Sequence, residues 1–242
     1  MDTLNMRIGG KGEPAVLLLH GLGATGAVWD HFSVLLDRRV LVPDLPGHGL
    51  SAPLPHYSFR TLAAAVARAL PDNRPLVVAG HSLGGVLALE LASDRYDVDV
   101  AGVLALGVKV EWSQDDLNRA ASFAAKPARV FATREDADQA YLKVSGLLGI
   151  APADPAGLRE TEGGWRLAMD PAAFGLGAPD MPALLAGARC PVLLAAGEHD
   201  PMSRPEQLRA LDPGAVTLAG LGHNAHVEDP AAVRALLKRF GV

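Results

Sequence analysis

The pentapeptide Gly80-His81-Ser82-Leu83-Gly84 places a serine between an apolar run, residues 76–79, and a Leu- and Ala-rich segment, residues 83–93. The first reads as a buried strand and the second as a helix. A serine on so tight a strand-to-helix turn is held in a strained backbone conformation with its hydroxyl pushed outward, and glycine two residues to either side relieves the crowding. The helix N-terminus then aims unpaired N–H groups and the positive end of its dipole at the place where an acyl-transfer oxyanion would form. A serine hydroxyl is a poor nucleophile near neutral pH. It needs a general base within hydrogen-bond reach, and the base needs a carboxylate to fix its tautomer. Two later apolar runs, residues 192–196 and 216–219, end in Gly197-Glu198-His199-Asp200-Pro201 and in Gly220-Leu221-Gly222-His223-Asn224-Ala225-His226. They offer Asp200 and His223 for those roles. Glu198 competes with Asp200, which also suits an Asp-Pro turn, and His226 competes with His223.

Such distant residues meet only if a sheet gathers the strand ends along one edge. The chain has the means. Its 242 residues are 49% hydrophobic and 20% charged, enough for a substantial core and against wholesale disorder. Apolar runs at 15–19, 40–42, 76–79 and 100–106 alternate with segments of helical spacing, the pattern of a parallel sheet wound by right-handed crossovers. One helix is expected over 25–36, with Trp29 and Phe32 on its apolar face. Another runs from an N-cap at Ser58 to Leu70. From about Gly107 the pattern changes: Ser113 and Thr133 cap two amphipathic helices, and Gly- and Pro-rich sequence without a convincing strand continues to about Ala188. The strand pattern then resumes, and residues 230–240 close the chain as an amphipathic helix.

The net charge of −5 comes from 22 basic and 27 acidic residues without a block of either sign, so no nucleic-acid or anionic-membrane footprint is expected. Cys190 is the single cysteine, which excludes an internal disulfide. Residues 1–12 lack an apolar leader segment, and no run of about 18 apolar residues could span a bilayer. A soluble, cytoplasmic protein is expected, with a small-molecule substrate, as a monomer or homodimer. No side-chain cluster has metal-ligand spacing, and neither metal nor cofactor is expected.

The segments His20-Gly21-Leu22-Gly23, Asp44 through Ser51, Gly80 through Gly85, Gly197 through Asp200, and Gly222-His223 with Glu228-Asp229-Pro230, in this order, resemble those of α/β-hydrolase-fold enzymes. The resemblance covers nearly the whole chain outside the 108–188 insertion. It implies a mostly parallel sheet flanked by helices, with a core of residues 1–107 and 189–242 and a helical cap over 108–188. It implies Ser82 as nucleophile, His223 as base, Asp200 as its acidic partner, and an oxyanion hole from the Leu22 and Leu83 N–H groups. Some members place the acid one strand earlier, which nominates Glu111. The N-terminus is short for the family, so fewer leading strands are expected. His20, His81, Trp112, Phe123, Tyr141, Trp165 and Phe174 are candidate pocket residues, and each of the aromatic ones serves equally well to pack cap helices. His31, His48, His56 and His199 receive no chemistry.

The activity implied is hydrolysis of a small ester, lactone or thioester. Capped members of the family also hydrolyse carbon–carbon bonds of vinylogous diketones, and a ligand receptor that keeps the three residues without turnover is the reading from another class. Serine at position 82 argues against the dehalogenase and epoxide hydrolase members, which carry aspartate there.

Overall fold

A computed structural model describes residues 4–242. Among the described residues nine strands form: β1 (Met6–Gly9), β2 (Ala15–Leu19), β3 (Val40–Pro43), β4 (Leu76–His81), β5 (Val100–Leu106), β6 (Leu158–Thr161), β7 (Gly164–Leu167), β8 (Val192–Gly197) and β9 (Val216–Leu218). Seven of them make one sheet in the order β1-β3-β2-β4-β5-β8-β9. All its pairings are parallel except that of the edge strand β1 with β3. The antiparallel edge strand β1 precedes β2 in the chain and pairs on the far side of β3.

The central strands are apolar on both faces because helices cover both. Ala15, Leu17 and Leu19 of β2 point into one core and Val16 and Leu18 into the other. The same alternation divides Val78 from Val77 and Ala79 in β4, and Ala105 from Leu104 and Leu106 in β5.

The helices are α1 (Asp30–Ser33), α2 (Phe59–Ala69), α3 (Leu83–Leu91), α4 (Gln114–Ala124), α5 (Arg134–Ser145), α6 (Met181–Gly187), α7 (Pro205–Leu211), α8 (Ala225–Glu228) and α9 (Pro230–Leu237). Helix α3 packs beside α2 and α6 and buries all nine of its residues, so its N-terminus acts in a dry setting. On the opposite face, Trp29 and Phe32 share a core with Val233 and Leu237 of α9. Ser58 caps α2 through a reciprocal exchange with Thr61, and Ser113 caps α4 in the same way with Asp116. Thr133 accepts from Asp136 N–H at the start of α5.

Two expectations change. The helix over 25–36 is a 3₁₀ turn, Gly26–Trp29, followed by the single turn of α1. Gly26 N–H donates to Asp44 Oδ1 at 2.8 Å, which ties the segment's start to the loop after β3. The insertion, expected to hold no strand, contains the antiparallel hairpin β6–β7, with Leu158 opposite Leu167 and Arg159 opposite Arg166. Helix α5 packs on this hairpin and α4 on a 3₁₀ turn, Pro171–Leu176. Helix α6 lies on α3, so the insertion returns to the sheet layers before β8 begins. Among the described residues no helix is long and apolar enough to cross a membrane.

Candidate active site

Strand β4 passes into α3 through Ser82, whose φ of 52° and ψ of −114° make it the one non-glycine residue with positive φ among the described residues. The conformation is costly for a residue with a Cβ and persists because its surroundings fix it. A Cβ on Gly80 would enter the Gly84 carbonyl, and one on Gly84 would enter the Leu19 carbonyl at the end of β2. Ser82 N–H donates to the Leu106 carbonyl at 2.8 Å, which locks the turn to the end of β5. The hydroxyl faces a cavity of about 270 Å³ that is also lined by Leu22, Leu83 and His223.

His223 reaches that cavity from the loop after β9. Its Nδ1 lies 2.8 Å from Oδ2 of Asp200, which sits on the turn after β8. The buried Asp200 carboxylate accepts two more hydrogen bonds at Oδ1, from the N–H groups of Met202 at 2.8 Å and Ser203 at 3.0 Å. With Nδ1–H donated to Asp200, Nε2 is left as the free basic nitrogen of the ring. His81 holds the other side of the residue: its Nε2 donates to the His223 carbonyl at 2.9 Å, with the two rings 4.6 Å apart. Ser82 Oγ makes no hydrogen bond to the His223 ring, a looseness common in ligand-free sites of this kind.

The competing residues lie elsewhere. Glu198 is exposed and accepts from Gly220 N–H at 2.8 Å. Glu111 is exposed and engages Gln207 and Arg204. His226 is fully buried, stacked 4.3 Å from Trp29 and 4.4 Å from His81, and neither of its ring nitrogens has a partner. Burial, followed by the nearby His223 and His20, lowers its pKa to about 3, so it is neutral wherever the protein is folded under ordinary conditions.

Among the described residues neither the Leu22 nor the Leu83 N–H has an acceptor within the protein. Two unengaged donors at one cavity are what an oxyanion requires. The loop carrying Leu22 is braced from behind by His20, which does not line the cavity. Its Nδ1 donates to the Gly21 carbonyl at 2.8 Å and its Nε2 accepts Leu45 N–H at 2.8 Å. Burial dominates in lowering the pKa of His20, against the Gly21 hydrogen bond and Asp44, which raise it. Asp44 anchors the next layer, accepting from Gly26 N–H, Leu50 N–H and Asn5 Nδ2. Burial pushes its pKa up, but those three hydrogen bonds outweigh it and hold the carboxyl below its usual value.

Of the expected pocket residues, His81, Trp112 and Phe174 line the cavity. Phe123 lies in an adjoining cleft, its ring 5.4 Å from that of Phe174. Tyr141 is buried in the insertion's own small core with Ala137, Leu142, Leu147 and Leu158, and Trp165 packs against the same core from β7. Apolar packing inside the insertion engages both rings, and neither lines the cavity at Ser82. Val144, Met202 and Lys143 line the cavity instead and carried no recognisable signal. Among the described residues no three His, Cys, Asp or Glu side chains are placed to hold a metal ion.

The insertion is tied to the base-bearing loop by one buried side chain. Asn224, next to His223, donates from Nδ2 to the Gly146 carbonyl at 2.9 Å and the Ser145 carbonyl at 3.4 Å, at the C-terminus of α5. This tie is invisible in sequence, because an asparagine after a histidine carries no pattern. Asn224→Ala would remove both bonds and leave the buried Ser145 carbonyl without this donor, at a cost of about 1 kcal/mol. The expected result is faster amide hydrogen exchange confined to the end of α5, with the β4–β5 pairing still protected. Uniformly faster exchange, or none at all, would count against a local tie.

The sequence pattern of the alpha/beta hydrolase family matches residues 16–236. Among curated relatives, the pimeloyl-[acyl-carrier protein] methyl ester esterase of Methylococcus capsulatus is 48% identical over 85 residues, 34% of this chain and 32% of that protein. The chain thus spans about a third of the length of that relative. Among solved structures, a thioesterase domain from the curacin biosynthetic pathway superposes with a TM-score of 0.75 at 26% identity, covering 96% of this chain and 94% of that one. E-2-(acetamidomethylene)succinate hydrolase superposes at 0.81 with 23% identity, over 99% and 95%, a likeness of fold. With 221 consecutive residues under the family pattern and the same fold over 96% of its length, the chain belongs to the alpha/beta hydrolase family.

Proposed function

We propose that the protein hydrolyses a small carboxylic ester, lactone or thioester through an acyl-enzyme on Ser82. The observation that carries this is the 2.8 Å contact of His223 with Asp200 beside a cavity that also holds Ser82 in its strained turn. In this reading Ser82 Oγ attacks the carbonyl carbon while His223 Nε2 takes its proton. The negative charge that develops on the carbonyl oxygen is held by the Leu22 and Leu83 N–H groups. Collapse expels the alcohol or thiol, which receives the proton from His223. Water then attacks the acyl-enzyme with His223 again as base, releasing the acid and restoring the Ser82 hydroxyl. Asp200 accepts the His223 Nδ1–H throughout, fixing the tautomer and stabilising the imidazolium. The insertion over 108–188 acts as a cap that sets substrate size. The names of the relatives, an esterase and a thioesterase, support acyl transfer to water as the reaction class.

The test is a fluorophosphonate probe together with p-nitrophenyl esters of graded acyl length. Stoichiometric labelling at Ser82 and many turnovers per protein are expected. Labelling without turnover would overturn hydrolysis and leave a ligand receptor. Absence of both would remove Ser82 as a nucleophile.

A further inference from the structure

The cavity at Ser82 shares a wall, made by Lys143, Val144 and Phe174, with a second cleft of about 620 Å³ in the insertion. The floor of that cleft is apolar, with Phe123, Phe131 and Leu167 among its lining residues, and its charged lining residues are Lys126, Arg129 and Lys143. No acidic residue lines it, and among the described residues none of these three cations takes part in an ion pair. On the far side of Lys126 a cavity of about 750 Å³ adds Arg159 and Arg166. Those two face each other directly across the β6–β7 hairpin, also without an ion pair, where like charges repel. The one acid there, Asp170, already accepts from the Tyr57 hydroxyl at 3.0 Å. In a chain of net charge −5, five cations without an ion pair are therefore gathered on the insertion, three of them at the cleft that adjoins the Ser82 cavity; in a neighbouring cavity Asp136 is the acid beside Arg129 and Lys143.

We infer that the natural substrate is an ester with an apolar chain ending in an anionic group. The ester carbonyl lies at Ser82, the chain crosses between Val144 and Phe174, and the anion meets Lys143, Arg129 and Lys126. This rests on the hydrolase reading above. Apolar lining binds the chain by burial, and a neutral tail would leave the cations without gain, so charge at the tail decides preference. Lys143 has a special place because it lines both cavities, one turn from the Gly146 end of α5. A terminal carboxylate and a terminal phosphate share this chemistry, and Arg129 can take either in a two-pronged contact.

Methyl esters with chains of two to twelve carbons, ending in methyl, carboxylate or phosphate, separate the cases. Beyond a threshold chain length, one of the two anionic series is expected to exceed the neutral series about tenfold in kcat/KM, mainly through KM. The better anionic series identifies the tail group. Lys126→Gln and Arg129→Gln, which lie outside the Ser82 cavity, should each erase several-fold of that preference while leaving neutral esters unchanged, and 0.5 M salt should compress it. Equal kcat/KM for neutral and anionic tails at every length overturns the inference. So does an equal loss on both series in the two variants. Turnover of the neutral series measures the hydrolase reading independently, so either idea can fail without the other.

Discussion

Ser82→Ala and His223→Ala should each lower kcat by a factor of about 10³–10⁶, and the double variant should be little worse than either. The reason is that nucleophile and base act as one unit: without His223, the Ser82 proton has nowhere to go, and without Ser82, His223 has no attacking oxygen to activate. The residual rate would come from the Leu22 and Leu83 N–H groups and from binding, which neither substitution touches. Asp200→Asn belongs to the same series. An amide at that position presents N–H where His223 presents Nδ1–H, so the ring turns to its other tautomer and Nε2 ceases to be basic; a loss of about 10⁴ is expected. Thermal unfolding should stay within a few degrees for Ser82→Ala, whose hydroxyl makes no hydrogen bond within the fold. If Asp200→Asn is nearly silent while Glu198→Gln or Glu111→Gln is not, the carboxylate has been misassigned. Full rates in His223→Ala would remove the base.

How much of this was legible in the sequence depends on how local the physical demand is. The Ser82 turn is written in the chain because its sterics act between neighbours: Gly80 and Gly84 touch each other, and only glycine fits. The central strands are legible because burial on both faces demands unbroken apolar runs such as Ala15–Leu19. Asp200 and His223 are legible as residues at strand ends once the sheet is assumed. The β6–β7 hairpin was not, because its four-residue strands are only partly buried and therefore carry no run, and the Glu162-Gly163 turn reads as one more glycine-rich loop. Nor could the aromatic residues of the insertion be sorted. Tyr141 and Trp112 look alike in sequence, yet one is buried in the insertion's own core and the other lines the cavity. His20, a candidate pocket residue by sequence, instead supports the Leu22 loop from behind. The cations Lys126, Arg129, Lys143, Arg159 and Arg166 are spread over some forty positions, and only the folded insertion brings them together.

His226→Phe should stabilise the protein, and more so in acid. The ring it replaces is fully buried between Trp29 and His81 with both nitrogens unpartnered, so at pH 8 the imidazole contributes packing and pays for a desolvated donor and acceptor. Removing an unsatisfied buried polar group while keeping an aromatic ring is worth about 1–3 kcal/mol, less whatever strain the larger ring introduces. The pH dependence adds to this. Above pH 6.5 both the folded and the unfolded histidine are neutral. Between 6.5 and about 3 the unfolded chain takes up a proton that the folded one refuses, so stability falls as pH falls; below about 3 both hold it. The slope is about 1.4 kcal/mol per pH unit for each such group. His48, whose pKa burial also lowers to about 3, and the buried His20 and His81, lowered chiefly by burial, add to the same acid sensitivity. Denaturant unfolding of the parent protein should therefore weaken steeply from pH 6.5 to 5. In His226→Phe the slope should be shallower by one proton, leaving the variant about 2 kcal/mol better placed at pH 5 than at pH 8, relative to the parent. Hydrolysis at pH 8 should persist, since His223 keeps both Asp200 and the His81 brace. Parallel pH curves for parent and variant would mean that His226 takes up its proton in the folded state as readily as in the unfolded one, and a lost activity would make it more than packing.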